Sequence, residues 1–133
     1  MNMTIGGLAK AGEVGVETVR YYQRRGLLPL PVRPSGGGSA GGARRYGAED
    51  VRRLRFIRAA QGAGFTLEQI AGLLRLDATA ERGAARALAR QCLDDLDRRI
   101  AELEAARGWL SRLEADCAEG GAGPCPILAA FER

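Results

Sequence analysis

Two groups of residues in this 133-residue chain have the types and spacing to do chemistry. The first is Cys117 and Cys125, separated by a glycine-rich stretch that contains Gly120, Gly121 and Gly123. Two thiolates brought face to face suit a soft ion such as Cu(I), Ag(I), Au(I) or Hg(II). Spacing alone leaves three readings open: a soft-metal site, a reversible disulfide, or two incidental thiols. Pro124 and Pro126 flank Cys125 and restrict its backbone. The chain has no histidine. The commonest nitrogen ligand and acid/base residue is therefore missing, and any metal site must be built from thiolates and oxygens.

The second group is basic and aromatic: Thr18, Arg20, Tyr21, Tyr22, Arg24 and Arg25 in one run, and Arg44, Arg45 and Tyr46 in another. Arginines make bidentate contacts to phosphates and base edges, and hydroxyls add phosphate hydrogen bonds. Tyr21 and Tyr22 are adjacent, so on a helix they face different directions and one of them is expected to pack inward. The charge distribution agrees with a polyanionic partner for the first half only. Residues 1–76 carry 12 basic and 5 acidic residues, whereas residues 77–133 carry 8 basic and 11 acidic.

The elements that would position these groups can be read from punctuation and periodicity. Thr4 caps a short helix containing Ile5, Leu8 and Ala9. After a turn near Gly12, a second short helix runs from Val16 and stops at Gly26, giving a helix-turn-helix pattern. Pro29, Pro31 and Pro34 and the run Gly36 to Gly42 then predict a loop between two short extended pieces, a wing, with Arg44, Arg45 and Tyr46 at its return. A third helix begins at Ala48-Glu49-Asp50 and stops at Gly64. Thr66-Leu67-Glu68-Gln69 matches a capping box opening a fourth, through Leu76. From Glu81 to Asp116 there is no proline, and Ala89, Leu93, Leu96, Ile100, Leu103 and Leu110 recur at coiled-coil spacing, interrupted at Arg107 and Glu114. One helix cannot hide such a stripe by itself, so a partner helix is expected, and dimerisation explains it better than folding back on a small N-terminal domain. Cys92 lies beside this stripe and reads as a small packing residue, with a ligand role as the second reading.

The pieces T-I-G-G-L-A-K, V-E-T-V-R-Y-Y-Q-R-R-G-L-L, R-R-Y-G-A-E-D-V-R-R-L-R-F-I-R and G-F-T-L-E-Q-I-A-G-L-L, with the terminal C-P-I-L, resemble the MerR family, the mercury-resistance regulator and its relatives. The Gly36–Gly42 run departs from the family by its length. The resemblance implies a mainly α fold in three parts: a winged helix-turn-helix DNA-binding domain over 1–76, a connector and antiparallel coiled-coil dimerisation helix over 77–116, and a C-terminal metal-binding cysteine loop over 117–133. It implies a homodimer on double-stranded promoter DNA. There, effector binding distorts an overlong spacer so that RNA polymerase engages both promoter elements. It also raises the metal reading of Cys117 and Cys125 above the thiol-redox one. The C-x7-C spacing is similar to that of the copper-efflux regulators. The third cysteine of the mercury, lead, zinc and cadmium sensors falls, by ungapped matching, on Arg82, which would act as a selectivity residue. Cu(I), Ag(I) or Au(I) is therefore the favoured effector, with Hg(II) as the alternative.

Other classes are disfavoured. No phosphate-binding glycine loop, histidine or spaced carboxylate pair points to an enzyme, and a cluster normally needs four cysteines where the chain has three. No apolar run spans a membrane and Met1 to Lys10 does not read as a signal peptide, so a cytoplasmic location without membrane partners is expected.

Overall fold

The computed structural model describes residues 2–32, 44–76 and 80–132, and in these the chain is helical, with one isolated bridge as its only β-pairing. The predicted wing run Gly36–Gly42 lies outside the described residues. The chain divides into two compact units, Met1–Cys92 and Leu93–Arg133.

The first unit holds α1 (Ile5–Ala11), α2 (Val16–Arg24), α3 (Ala48–Gly62), α4 (Leu67–Leu74) and the start of α5 (Arg82–Glu119). Helices α1, α3 and α4 begin where a side chain supplies a capping hydrogen bond. Thr4 Oγ1 accepts from the Gly7 amide. Thr66 and Gln69 close a reciprocal capping box, at 3.1 and 2.9 Å. At α3 the Asp50 carboxylate accepts from the Gly47 amide at 2.8 Å, one half of the same device, since glycine has no side chain for the other half. Helix α2 stops because Gly26 takes φ +75°, a conformation glycine adopts without strain.

Leu8, Val19, Leu27, Leu54, Ile57 and Ile70 are fully buried and join α1, α2, α3 and α4 into one core. The α1–α2 turn lies so close to α3 that a Cβ on Gly12 would fall 2.3 Å from Leu54 Cδ2. Arginines on α3 tie it to the same motif: Arg53 Nε donates to the Leu27 carbonyl at 2.6 Å and Arg55 Nη2 to the Ala11 carbonyl at 3.3 Å. Met3 and Tyr46 exchange two backbone hydrogen bonds of 2.8 Å, so the return from residues 33–43 is pinned to the start of the chain.

Helix α5 spans 38 residues. Its first eleven belong to the first unit, where Gln69 Nε2 donates to Gln91 Oε1 at 3.2 Å and Cys92 is buried. The second unit is the rest of α5 and the short α6 (Pro126–Phe131). None of its described residues is fully buried, and Leu93, Ile100, Leu103 and Leu110 of the predicted stripe are all exposed. A sequence boundary moves here. Cys117 lies in the last turn of α5 rather than in a loop beginning at 117, because no helix breaker intervenes before Gly120.

Candidate nucleic-acid interface and thiol pair

Helix α2 presents two faces. Val19 and Tyr22 point into the core; Arg20, Tyr21, Arg24 and Arg25 are exposed, and Thr18 is half-buried. Tyr21 is 39 % exposed, and the Arg25 guanidinium sits 5.8 Å from its ring centre while Arg25 Nη1 donates to the Tyr21 hydroxyl at 3.3 Å. Arg20 pairs with Glu17 at 3.2 Å on the open surface, an interaction too weakly held to withhold the guanidinium from a phosphate. The exposed run Arg20, Tyr21, Arg24 and Arg25 is therefore one cationic face on the second helix of a helix-turn-helix, the element that enters a major groove in that motif.

Two residues read from the sequence as DNA contacts are corrected. Tyr22 is 2 % exposed, and its hydroxyl donates to Gln61 Oε1 of α3 at 2.5 Å. Burial raises the pKa of this phenol, opposed in part by the Arg58 guanidinium beside it. Tyr46 is also 2 % exposed, and its hydroxyl accepts from Gln23 Nε2 at 2.9 Å. Both rings are core residues because the period of α2 and the bridge to Met3 turn them inward. Arg45 is exposed; Arg44 is half-buried, its Nε donating to the Pro31 carbonyl at 2.9 Å across the base of residues 33–43. The contributions of Arg53 and Arg55 escaped the sequence reading.

The thiol pair is assembled in the second unit. Cys117 Sγ and Cys125 Sγ lie 3.5 Å apart, and both side chains are half-buried. Cys125 is the N-cap of α6 and Pro126 its first helical residue, a position where a missing N–H costs nothing. The two thiols differ in acidity. Cys125 is lowered first by the Leu128 amide and then by the thiol of Cys117; no cap hydrogen bond closes fully, so the amide acts as a nearby dipole. Cys117 is raised, first because its proton is held by Cys125, and further by the Glu114 carboxylate one turn earlier. The pair thus holds one readily formed thiolate and one retained proton.

The donor set fits a two-coordinate soft ion. Cys117 and Cys125 would hold it through their thiolates, and their sulfurs, 3.5 Å apart, would move apart to admit it. Gly120, Gly121 and Gly123 give the connecting loop that freedom, and Gly123 already sits at φ +130°. Among the described residues, no cluster of three or more histidine, cysteine or acidic side chains forms a further metal site. Arg82 is the exposed first residue of α5, and Cys92 is 3 % exposed in the first unit, as a packing residue would be.

Helix α6 makes a second contact with α5. The rings of Trp109 and Phe131 meet edge to face, 5.3 Å between centres. Neither aromatic belongs to the predicted stripe, and the sequence reading assigned neither a role.

Residues 3–77 match the MerR HTH family regulatory protein family and residues 51–113 the MerR, DNA binding family. The mercuric resistance operon regulatory protein of Serratia marcescens is 44 % identical over 132 residues, covering 98 % of this chain and 88 % of the relative. The HTH-type transcriptional regulator HmrR of Sinorhizobium medicae is 36 % identical, covering 95 % and 84 %. Among solved structures, the transcription regulator PbrR691 of Ralstonia metallidurans CH34, in complex with lead(II), aligns with a TM-score of 0.74 at 33 % identity, covering 97 % of this chain and 98 % of that one.

Proposed function

The chain belongs to the MerR family of helix-turn-helix regulatory proteins, and from that premise we propose that it is a mercury-responsive transcription regulator whose effector site is the pair Cys117 and Cys125. The observation that carries the effector assignment is the 3.5 Å approach of two thiols at the end of a helix in a protein with no histidine. The mercuric resistance relative, at 44 % identity over nearly the whole chain, favours Hg(II) over the monovalent ions that the cysteine spacing suggested.

Charge argues the same way. Two thiolates cancel a divalent cation, whereas a monovalent ion leaves one negative charge in a half-buried loop. Glu114 already disfavours negative charge at Cys117. A monovalent ion would need a cation to offset it. Arg82 at the family's third-cysteine position supports that second reading: Cu(I), Ag(I) or Au(I) on the same pair.

The cationic face of α2 would read promoter DNA, with Arg45 adding a backbone contact. The exposed stripe of α5 would close a homodimer. Among its described residues that unit has no fully buried side chain, and a partner helix would supply the missing apolar contact. Effector binding would bias the dimer toward a state that bends and untwists an overlong promoter spacer for RNA polymerase. Among the described residues no helix is long and apolar enough to cross a membrane, consistent with a cytoplasmic regulator.

The test is a competitive titration of the reduced protein with Hg(II) and Cu(I), read by mass spectrometry of the native oligomer and by promoter transcription. Tight Hg(II) binding, lost with induction but not DNA binding in Cys117→Ser and Cys125→Ser, is expected. Normal induction in both variants defeats the assignment; tight Cu(I) binding with weak Hg(II) binding selects the second reading.

A further inference from the structure

We infer that Trp109 and Phe131 form a clamp that positions the thiol pair by holding α6 along α5. On α5, Trp109, Leu113 and Cys117 follow one another at four-residue intervals and so lie along one ridge, about 12 Å from end to end. Helix α6 lies antiparallel to this ridge. Cys125 at its start meets Cys117, and Phe131 at its end meets Trp109. Between them Pro126, Ile127 and Ala130 are half-buried, as is Leu113 on the ridge.

Neither α6 nor its tether can produce this arrangement alone. Six residues are too few for a stable isolated helix, and a tether with three glycines imposes little direction. With one end fastened only by a weak thiol hydrogen bond, α6 would pivot and the sulfur separation would vary. The aromatic pair at the far end removes that freedom, because edge-to-face rings contribute beyond the area they bury. Trp109 and Phe131 are thus positioning residues, acting through α6 on the effective concentration of one sulfur at the other. Their relevance to sensing rests on the thiol pair being the effector site; their effect on sulfur placement does not.

The experiment therefore uses no metal. Reduced full-length protein is equilibrated with oxidised glutathione. The two cysteines form one disulfide, two glutathione molecules are released as thiols, and the two protein thiol protons pass to them. Alkylation and mass spectrometry give the equilibrium constant, which reads the effective concentration directly. Phe131→Ala and Trp109→Leu are expected to lower it about two- to tenfold, and Phe131→Tyr, which keeps the ring, to preserve it. Trp109 is the only tryptophan, so its emission should shift to the red in Phe131→Ala. Phe131 is exposed on the terminal helix, and circular dichroism checks that α5 persists. A wild-type constant in both ring-removing variants, with helix content intact, overturns the clamp; so does an equal loss in Phe131→Tyr. Failure of wild-type protein to bind Hg(II), with the constant still falling in Phe131→Ala, would reject the mercury assignment and leave the clamp standing.

Discussion

Tyr22→Phe separates a packing role from a DNA-contacting one at the position where sequence pattern and structure diverge most. The substitution keeps the ring in the core and removes only the hydroxyl that donates to Gln61 Oε1 at 2.5 Å. Gln61 is exposed, so water can satisfy the vacated acceptor. The cost is then that of an ordinary hydrogen bond, about 0.5–1.5 kcal/mol, rather than that of an orphaned buried group. Urea unfolding should show this loss. Fluorescence anisotropy with promoter DNA should show affinity within about twofold of wild type and an unchanged salt dependence. A phosphate contact through Tyr22 would behave oppositely: losing the neutral hydroxyl would weaken promoter binding by a similar factor at every salt concentration, with stability unchanged. Weakened DNA binding without loss of stability refutes the core assignment. The phenol also gives a pH signature. Burial raises its pKa above the ordinary 10.0, so the neutral form is the one folding favours. That stability is present below pH 10 and lost as pH rises through the raised value, so the wild-type advantage over Tyr22→Phe should shrink above pH 10.

Tyr21→Phe is expected to do the reverse of Tyr22→Phe, leaving urea stability intact while weakening DNA binding, since its hydroxyl is on the exposed face of α2. Gly12→Ala drives a methyl against Leu54, which is fully buried and cannot move aside freely; a loss of about 1–3 kcal/mol in denaturant unfolding is expected, with Gly15→Ala, which meets nothing within 4 Å, as the comparison. The hydrogen bond to Cys125 makes Cys117 hold its proton more tightly than an ordinary thiol, so metal loading must displace it. Apparent Hg(II) affinity should therefore fall as pH is lowered from 8 to 6, after correction for the competitor's own protons. A pH-independent affinity contradicts this. Leu103→Asp places a charge on the 69 % exposed centre of the α5 stripe, and analytical ultracentrifugation is expected to find dimer for the wild type and monomer for the variant.

The sequence was most legible where a residue type has one structural use. Thr4, Gly26 and the Thr66/Gln69 box mark helix ends in the structure as their chemistry requires, because each satisfies backbone groups that nothing else nearby can satisfy. Tyr22 and Tyr46 were harder because tyrosine serves both core and interface. Only the packing of α2 on α3, with Gln61 thirty-nine positions away as partner, settles the face of Tyr22, and the bridge to Met3 settles that of Tyr46. Arg53 and Arg55 hid for the same reason: their carbonyl partners, Leu27 and Ala11, are remote in sequence and carry no side-chain signal. The cysteine pair was visible by type and spacing, but the helix reaching Glu119 was not, since a glycine run marks where a helix must end and not how far it persists beforehand. The pairing of Trp109 with Phe131 depends on the direction in which α6 returns along α5, and no local pattern encodes that direction.

The division of charge along the chain corresponds to a division of stability that bears on how sensing can work. The basic first unit owns a closed core of six fully buried side chains, so its DNA-reading helix is held by many contacts at once. Among its described residues the second unit owns none, and its short terminal helix is fastened at one end by two thiols and at the other by two rings. Weakly buried elements are the ones that rearrange at low cost. A ligand shifts an equilibrium only by its differential affinity for the two states. Two thiolate bonds to a soft ion are stronger than the single thiol hydrogen bond they replace, and in a unit with so few competing contacts that difference is not absorbed by repacking. In the proposed function it would pass into the position of α6 on α5, the same helix whose exposed stripe would close the dimer, so that sensing would sit where the chain has least holding it and DNA reading where it has most.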